Sequence, residues 1–326
     1  MPKLNLKLFL DDDYETYAGR RKRQENQVNQ KHSHRAKRMA GDIAEQMDRI
    51  EHIHFTYNAS RHERLWLVNS LSNFYELHWF SDVLRLIKGG KEASVYLCQA
   101  DPASTADYIA AKIYRPRKFR NLKNDHLYRE GRPDLGDDGL VILNVGMQHA
   151  MHKRTAYGLE LLHSSWIGHE VKTLNILHAA GADVPRPYAA GDNAILLEYI
   201  GDADLAAPTL NSLMLTSREA RGLFERVLWN IEIMLANGRV HGDLSAFNIL
   251  YWQGKITLID FPQAISPHEN RSAYRIFQRD VRRICEYFSA QGVRCDAAKI
   301  ARDMWTAHHL KLAPELDPHW LDEANE

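Results

Sequence analysis

The sequence predicts an α+β fold, with an antiparallel sheet in the first half of the chain and a mostly helical second half. Short apolar runs at 83–88, 94–98 and 108–114 are rich in Val, Ile, Leu and Tyr, a composition typical of strands. Residues 216–235 and 272–290 place apolar side chains at helical spacing. The chain has 326 residues, which is enough for one domain plus an extension.

The first 55 residues are predicted to be an extension of this domain. Three acidic residues at 11–13 give way to a basic run between Arg20 and Arg38 that contains almost no apolar side chains. Such a segment cannot offset its ordering entropy by burial, so we interpret residues 1–55 as charged and partly disordered. The basic run is either a solvated tail or a contact for RNA phosphates.

The composition of the chain gives no indication of a membrane protein or of a strongly charged nucleic-acid-binding protein. The sequence is 44% hydrophobic and 26% charged, and its formal net charge is zero, so no global attraction to nucleic acid or membrane is implied. It has no apolar stretch of about 18 residues, and its N-terminus has no signal-peptide core. The sequence therefore predicts a cytoplasmic protein that makes no membrane contact.

The first elements of the domain are predicted from local signals. Ser60 and Glu63 form a capping-box pattern that predicts a helix over 61–78. The strands at 83–88 and 94–98 are joined by a loop whose backbone amides could bind phosphate, although an ordinary hairpin turn fits equally well. This loop consists of Gly89, Gly90, Lys91, Glu92, Ala93 and Ser94.

The strand at 108–114 contains one cation, Lys112, between apolar neighbours. Burying that charge requires a partner, and Glu170 in the helical pattern 166–177 is the candidate. Such a lysine would pair with ATP phosphates and a helix glutamate. The alternative is a solvent-facing lysine on an edge strand, together with an exposed helix acid. Between these elements, residues 115–165 begin with basic side chains and continue with glycine, proline and acids, which predicts a mobile loop.

The most informative motif is His-Gly-Asp-Leu-Ser-Ala-Phe-Asn at 241–248. Its H-x-D-x-x-x-x-N pattern matches a kinase catalytic loop, in which Asp243 orients a substrate hydroxyl and Asn248 holds magnesium. A hairpin predicted over 249–258 would set Asn248 opposite Ile259, so Asp260 would emerge as the second oxygen ligand of the cation. The alternative is a polar turn between core strands.

Six motifs in order along the chain carry a resemblance to a known family. They are Gly-Lys-Glu-Ala-Ser-Val-Tyr at 90–96, Ala-Lys-Ile-Tyr at 111–114, Pro-Arg-Pro at 185–187, Leu-Glu-Tyr-Ile-Gly at 197–201, His-Gly-Asp-Leu-Ser-x-x-Asn-Ile-Leu at 241–250 and Ile-Asp-Phe-Pro-Gln-Ala at 259–264. Together they resemble the RIO family of atypical protein serine/threonine kinases, and the likeness covers about residues 83–290.

The resemblance implies a compact two-lobed protein-kinase-like fold that lacks an activation segment and peptide-binding subdomains. Residues 56–200 would form an N-terminal helix and an antiparallel-sheet small lobe that binds nucleotide, and residues 201–326 a mostly helical catalytic large lobe. No Ala-Pro-Glu motif follows Asp260, in agreement with this expectation. Pro262 replaces the glycine of Asp-Phe-Gly and lacks its flexibility, so a flip of this motif is not expected.

The resemblance also implies a role for each candidate residue. Residues 89–94 and Lys112 would contact ATP, and Glu170 would pair with that lysine. Glu198 and Ile200 would form the hinge beneath adenine. Asp243 would be the catalytic residue, and Asn248 and Asp260 would bind Mg²⁺.

Three functions are compatible with the sequence. The first is ATP- and magnesium-dependent phosphorylation of protein serine or threonine, including autophosphorylation. The second is a small-molecule phosphotransferase of the aminoglycoside or choline kinase type, which shares the catalytic motif. The third is an ATPase that assists ribosome assembly, with RNA or a ribosomal particle contacted by basic segments at 20–38 and 115–132. The motifs at 90–93 and 261–264 favour the RIO-like interpretation over the second.

Overall fold

The computed structural model describes residues 53–115, 125–136 and 139–311. The chain divides into two compact units, Met1–Ile53 with Ala59–Asn69, and His54–Asn58 with Ser70–Glu326, which we call the main unit. Most of the predicted N-terminal extension, including its basic run, lies outside the described residues. Helix α1 spans Arg61–Glu76, as the capping pattern predicts, and the Glu63 N–H donates to Ser60 Oγ at 3.3 Å.

The sheet of the main unit is antiparallel and confirms the three predicted strands. Its strands are β1 (Phe80–Gly89), β2 (Ala93–Ala100), β3 (Tyr108–Tyr114), β4 (Pro187–Ala190) and β5 (Ala194–Glu198). Their order is β1-β2-β3-β5-β4, so β3 is an interior strand. Lys112 therefore pairs with Val95 on one side and Ile195 on the other, which rules out the alternative of a lysine on an edge strand.

The helices follow in chain order between and after these strands. They are α2 (Asp125–Arg129), α3 (Val145–His152), α4 (Ala156–Ala179), α5 (Ser217–Ala236), α6 (Ala273–Ala290) and α7 (Ala297–Ala307), with short 3₁₀ turns at Leu210–Ser212 and Ala246–Asn248. Among the described residues, no helix is both long enough and apolar enough to cross a membrane.

Two helices predicted from sequence are confirmed in the second half of the main unit. Helix α5 begins with a capping box in which Thr216 and Glu219 each satisfy a backbone N–H of the other residue. Helix α6 begins at Ala273, one residue after the predicted start. Both helices pack their apolar faces into one core, to which Val227 and Phe288 contribute fully buried side chains.

The predicted hairpin after the catalytic motif is present. Its strands are β6 (Ile249–Trp252) and β7 (Lys255–Leu258). The turn residues Gln253 and Gly254 have φ angles of 48° and 82°, the two positive values that a type I′ turn requires. The Ile259 N–H donates to the Asn248 carbonyl at 2.9 Å, so the predicted pairing is confirmed.

The structure differs from the predicted mobile loop over 115–165. Helix α3 lies within this span, and α4 begins at Ala156, ten residues before the predicted helical pattern. Thr155 caps α4 by accepting the Gly158 N–H at 3.0 Å. Leu135 is fully buried, and its N–H donates to Ser165 Oγ at 2.9 Å. Residues 116–124 and 137–138 of the predicted loop lie outside the described residues.

Candidate active site

A cavity of about 460 Å³ in the main unit is lined by residues from the sheet, from α4 and from the β6–β7 hairpin. This volume is typical of small-molecule sites. Gly89, Ser94 and Asp243 lie outside its wall. The other predicted site residues line it: Gly90, Lys91, Glu92, Ala93, Lys112, Glu170, Glu198, Ile200, Asn248 and Asp260.

Lys112 joins two carboxylates at the base of this cavity. Its Nζ donates to Glu170 Oε1 at 2.7 Å and to Asp260 Oδ1 at 2.7 Å. The lysine and Glu170 side chains are 11% and 1% exposed, whereas that of Asp260 is 43% exposed. The structure therefore brings together three residues that are 58 to 148 positions apart in sequence.

Charge pairing offsets the cost of burying these groups. Desolvation alone would lower the pKa of Lys112, but the carboxylates of Asp260 and Glu170 raise it above its ordinary value. Desolvation likewise would raise the pKa of Asp260, and the Lys112 ammonium holds it below the ordinary value. Both groups are therefore charged at neutral pH, and the Lys112 ammonium lies between the side chains of Glu170 and Asp260.

Glu170 is positioned by more than the lysine. The Tyr114 hydroxyl donates to Glu170 Oε2, and the Phe261 N–H donates to Glu170 Oε1 at 3.3 Å. Phe261 directly follows Asp260, so this carboxylate links α4 to the segment that carries the candidate metal ligand. The alternative of an exposed helix acid at this position is wrong.

The glycine-rich loop between β1 and β2 is a tight turn that Arg115 supports. The Gly90 N–H donates to the Ala93 carbonyl at 2.9 Å, so this amide is already used within the loop. Arg115 Nε donates to the Gly90 carbonyl at 2.9 Å, and its Nη2 to the Ser94 hydroxyl at 3.3 Å. Arg115 follows β3, and sequence reasoning assigned it only to a basic run.

The predicted hinge, Glu198–Ile200, begins at the last residue of β5 and is held at its first and third residues. The Glu198 side chain accepts the Arg186 N–H at 3.1 Å, and the Glu198 N–H donates to the Arg186 carbonyl at 2.8 Å. The Ile200 carbonyl accepts the Ala207 N–H at 2.9 Å. These hydrogen bonds hold both ends of the segment Glu198–Ile200 in place.

The catalytic motif begins with a buried histidine and a glycine that is sterically required. His241 Nε2 lies 3.2 Å from the Ile259 carbonyl, and burial lowers the pKa of the ring, so His241 is neutral. Gly242 has a φ of 83°, and a Cβ at this position would lie 2.1 Å from the Gln263 carbonyl oxygen. Only glycine allows residues 261–264 to pass this close to the loop.

Asp243 and Asn248 face each other across the loop. Asn248 Nδ2 donates to the Asp243 carbonyl at 2.9 Å and lies 3.4 Å from Asp243 Oδ2. This hydrogen bond orients the Asn248 amide, and its side-chain oxygen is the atom that could bind a cation. Asp260, which has a φ of 72°, lies on the same cavity wall.

Three residues of α6 that sequence reasoning missed hold this loop, and the first of them is Arg279, whose Nη2 donates to the Gly242 carbonyl. Asp280 is 2% exposed and accepts the Gly242 N–H at 2.9 Å. Arg283 Nη1 donates to Asp243 Oδ1 at 2.8 Å. Asp280 could have been recognised, because it lies four residues from both Ile276 and Ile284 on the apolar face of the helix. No comparable signal marks Arg283.

The segment 125–136 is docked against the same region. Arg132 Nη2 donates to the Pro262 and Ala264 carbonyls at 2.9 and 2.6 Å, and Arg279 Nη1 donates to the Tyr128 hydroxyl at 2.9 Å. His169 lies 2.6 Å from the Pro133 carbonyl, and burial lowers its pKa to about 4. Sequence reasoning gave this segment no such role.

Comparisons with known proteins agree with this geometry. The model of the RIO domain family matches residues 144–300. The chain is 29% identical over 212 residues to the RIO-type serine/threonine-protein kinase Rio1 of Haloferax volcanii, which covers 64% of each protein. It is 28% identical over 217 residues to the serine/threonine-protein kinase rio1 of Schizosaccharomyces pombe, which covers 66% of this chain and 40% of that protein.

A third relative gives the same result. The chain is 27% identical over 243 residues to the serine/threonine-protein kinase RIO1 of Chaetomium thermophilum, which covers 71% of this chain and 43% of that protein. The chain therefore spans less than two thirds of the length of each of these three relatives.

Proposed function

We propose that this chain, which belongs to the RIO family of atypical serine/threonine protein kinases, transfers the γ-phosphoryl group of ATP to protein hydroxyls, including its own. The observation that carries the proposal is the network of Lys112, Glu170 and Asp260 at the base of a nucleotide-sized cavity. Asn248 lies on the wall of that cavity, and its amide contacts Asp243, the candidate catalytic residue.

The donor atoms of this site fit a nucleotide with magnesium. Mg²⁺ prefers oxygen ligands and is usually held by one or two carboxylates together with substrate phosphates. The oxygen of Asn248 and the Oδ2 of Asp260 would hold it, because Lys112 uses only Oδ1 of Asp260. When bound, magnesium would neutralise charge on the phosphates, and ATP would supply the group that is transferred.

The side chains of the protein would then bind the nucleotide, orient the acceptor hydroxyl and accept its proton. Lys112 would contact the α- and β-phosphates while Glu170 keeps its ammonium in place. The backbone of Glu198 and Ile200 would meet the adenine edge. Asp243 Oδ2 would accept a hydrogen bond from the hydroxyl of the protein substrate and orient its oxygen toward the phosphoryl group. It would then take up the hydroxyl proton as the new P–O bond forms and the bond to the leaving ADP breaks.

The connection after Asp260 supports the RIO type of kinase. Residues 261–272 lead directly from Asp260 to α6 without an activation segment. The docked segment 125–136 lies against 262–264 instead. The family membership does not favour the small-molecule phosphotransferase, whereas the balance between kinase and ATPase activity stays open to experiment.

A contact with RNA or a ribosomal particle is a further part of this proposal and rests on the basic run from Arg20 to Arg38. In the second basic run, the arginines that the structure describes are engaged within the chain itself. Arg115, Arg129 and Arg132 all make intramolecular contacts in the structure, with the glycine-rich loop, with Asp134 and with 262–264. A cytoplasmic location remains a prediction.

The proposal is tested by following the γ-phosphate of ATP with the purified chain. We expect label on serine or threonine of the chain and of a generic acidic protein such as casein. Asp243→Asn should reduce this transfer by about a hundredfold or more, because the group that orients the hydroxyl is lost. Label found only as inorganic phosphate would identify an ATPase, and full transfer by Asp243→Asn would exclude the assigned mechanism.

A further inference from the structure

Helix α6 holds the catalytic loop through three side chains on one face. Arg279 Nη2 donates to the Gly242 carbonyl, Asp280 accepts the Gly242 N–H, and Arg283 pairs with the Asp243 carboxylate. Residues three and four positions apart on a helix share a face, so one rigid element contacts the backbone and the functional group of the loop together.

The contact of Arg283 with Asp243 is unlike the other two, because it engages the reactive carboxylate itself. Arg283 Nη1 lies 2.8 Å from Oδ1, while the Asn248 amide lies 3.4 Å from Oδ2, near the limit for a hydrogen bond. Oδ1 is therefore held and Oδ2 remains the oxygen that can accept a hydroxyl.

The ion pair between Arg283 and Asp243 contributes little to the stability of the fold. The side chains of Arg283 and Asp243 are 37% and 42% exposed, and pairs this open contribute about 0–1 kcal/mol to folding. The residues of the catalytic loop from 243 to 248 are Asp, Leu, Ser, Ala, Phe and Asn, which include no cation. Arg283 thus supplies, from another element, a positive charge that the loop itself does not carry.

We infer that Arg283 is a positioning residue for phosphoryl transfer, which fixes the rotation of the Asp243 carboxylate so that Oδ2 meets the acceptor hydroxyl. This inference rests on the proposed function. A carboxylate with neither oxygen firmly held rotates about its Cβ–Cγ bond, and misplacing a catalytic group by a small distance is costly to the rate. Arg283 should therefore act on turnover and leave nucleotide affinity unchanged.

The neighbouring arginine of α6 provides a matched control. Arg282 pairs with Glu286 at 3.7 Å, and its side chain is 64% exposed. Arg282→Gln removes the same charge from the same helix, and that ion pair does not involve Asp243. Arg283→Lys keeps the positive charge but loses the planar guanidinium group, so it should retain part of the turnover that Arg283→Gln loses.

The experiment measures kcat and KM for a protein acceptor, and ATP affinity, in the full chain and in these three variants. We expect Arg283→Gln to lower kcat tenfold or more while ATP affinity and thermal stability stay unchanged. The kcat of Arg283→Lys should lie between those of Arg283→Gln and the wild type. Arg282→Gln should match the wild type in all three quantities. Equal behaviour of Arg283→Gln and Arg282→Gln, or faster transfer by Arg283→Gln, would overturn the inference. A wild-type chain that transfers to no acceptor would instead overturn the proposed function.

Discussion

The two sides of the proposed active site hold their charges in opposite ways. On the proposed nucleotide side, Lys112 and Glu170 form a pair whose side chains are 11% and 1% exposed. On the proposed acceptor side, Asp243 and Arg283 form a pair whose side chains are 42% and 37% exposed. When one member of a buried ion pair is removed, the remaining charge has neither a partner nor water around it, which is costly. When one member of an exposed pair is removed, water solvates the remaining charge at little cost. The first pair should therefore influence both folding and function, and the second function alone.

The largest expected effect comes from breaking the buried pair. In Lys112→Met, the Glu170 carboxylate keeps its hydrogen bonds from the Tyr114 hydroxyl and the Phe261 N–H but loses the ammonium group that pairs with it. We expect the free energy of unfolding, measured by urea denaturation, to fall by about 3–5 kcal/mol. The same measurement on Arg283→Gln should show a loss of less than about 1 kcal/mol. Similar losses in the two variants would contradict the comparison.

A double variant sharpens this test. If Lys112 and Glu170 act as one unit, Lys112→Met combined with Glu170→Gln should be less destabilising than the sum of the two single changes, because no buried charge is left unpaired. Additive losses would mean that each side chain is stabilised independently by other neighbours.

A smaller effect is expected at the third member of the network. Asp260→Asn keeps the shape of the side chain and removes its charge, so nucleotide affinity should fall about tenfold in magnesium and much less in EDTA. Asp303→Asn is the matched control, because that carboxylate pairs with Lys299 on α7. Equal losses in both buffers would show that Asp260 has a structural role and is not a metal ligand.

The smallest expected effect is a pH dependence at Asp280, beneath the acceptor side. Burial raises the pKa of this carboxyl from 3.8 to about 6, with the charge of Asp243 adding to the rise and Arg279 opposing it. The folded state then binds the proton more tightly than the unfolded state, so the contribution of Asp280 to stability increases as pH falls from above 6 toward 4.

Comparison with Asp280→Asn isolates this contribution. Between pH 7 and pH 5 the wild type should gain unfolding free energy relative to the variant, by at most about 1.4 kcal/mol per pH unit within the window. A relative loss at pH 5 would indicate that the ionised carboxylate, which accepts the Gly242 N–H, is the more stable form.

Local patterns predicted the parts of the fold whose signals lie close together in sequence. The β6–β7 hairpin followed from two strand patterns around Gln253–Gly254, and its pairing placed Asn248 beside Ile259. The pairing of Lys112 with Glu170 also followed, because a cation within an apolar strand requires a partner. In these cases the physical requirement is visible in a few neighbouring residues.

The residues that sequence reasoning missed depend on tertiary contacts. Arg132 and Arg115 read as members of a basic run, yet each donates to backbone carbonyls elsewhere in the fold. Helix α4 began ten residues earlier than predicted, because its first turns pack apolar residues such as Leu161 and Leu162 into a small separate cluster with Met151. Arg283 gave no signal, since a partly exposed arginine on a helix is ordinary.

The most direct test of the account separates nucleotide binding from phosphoryl transfer in one pair of variants. ATP affinity in magnesium and single-turnover transfer should be measured on Asp243→Asn and Lys112→Met side by side. We predict that Asp243→Asn binds ATP nearly as the wild type does while transfer falls by about a hundredfold or more, and that Lys112→Met loses affinity. If Asp243→Asn loses affinity and transfer in parallel, or if Lys112→Met binds ATP normally, the division of the site into a nucleotide side and an acceptor side is wrong.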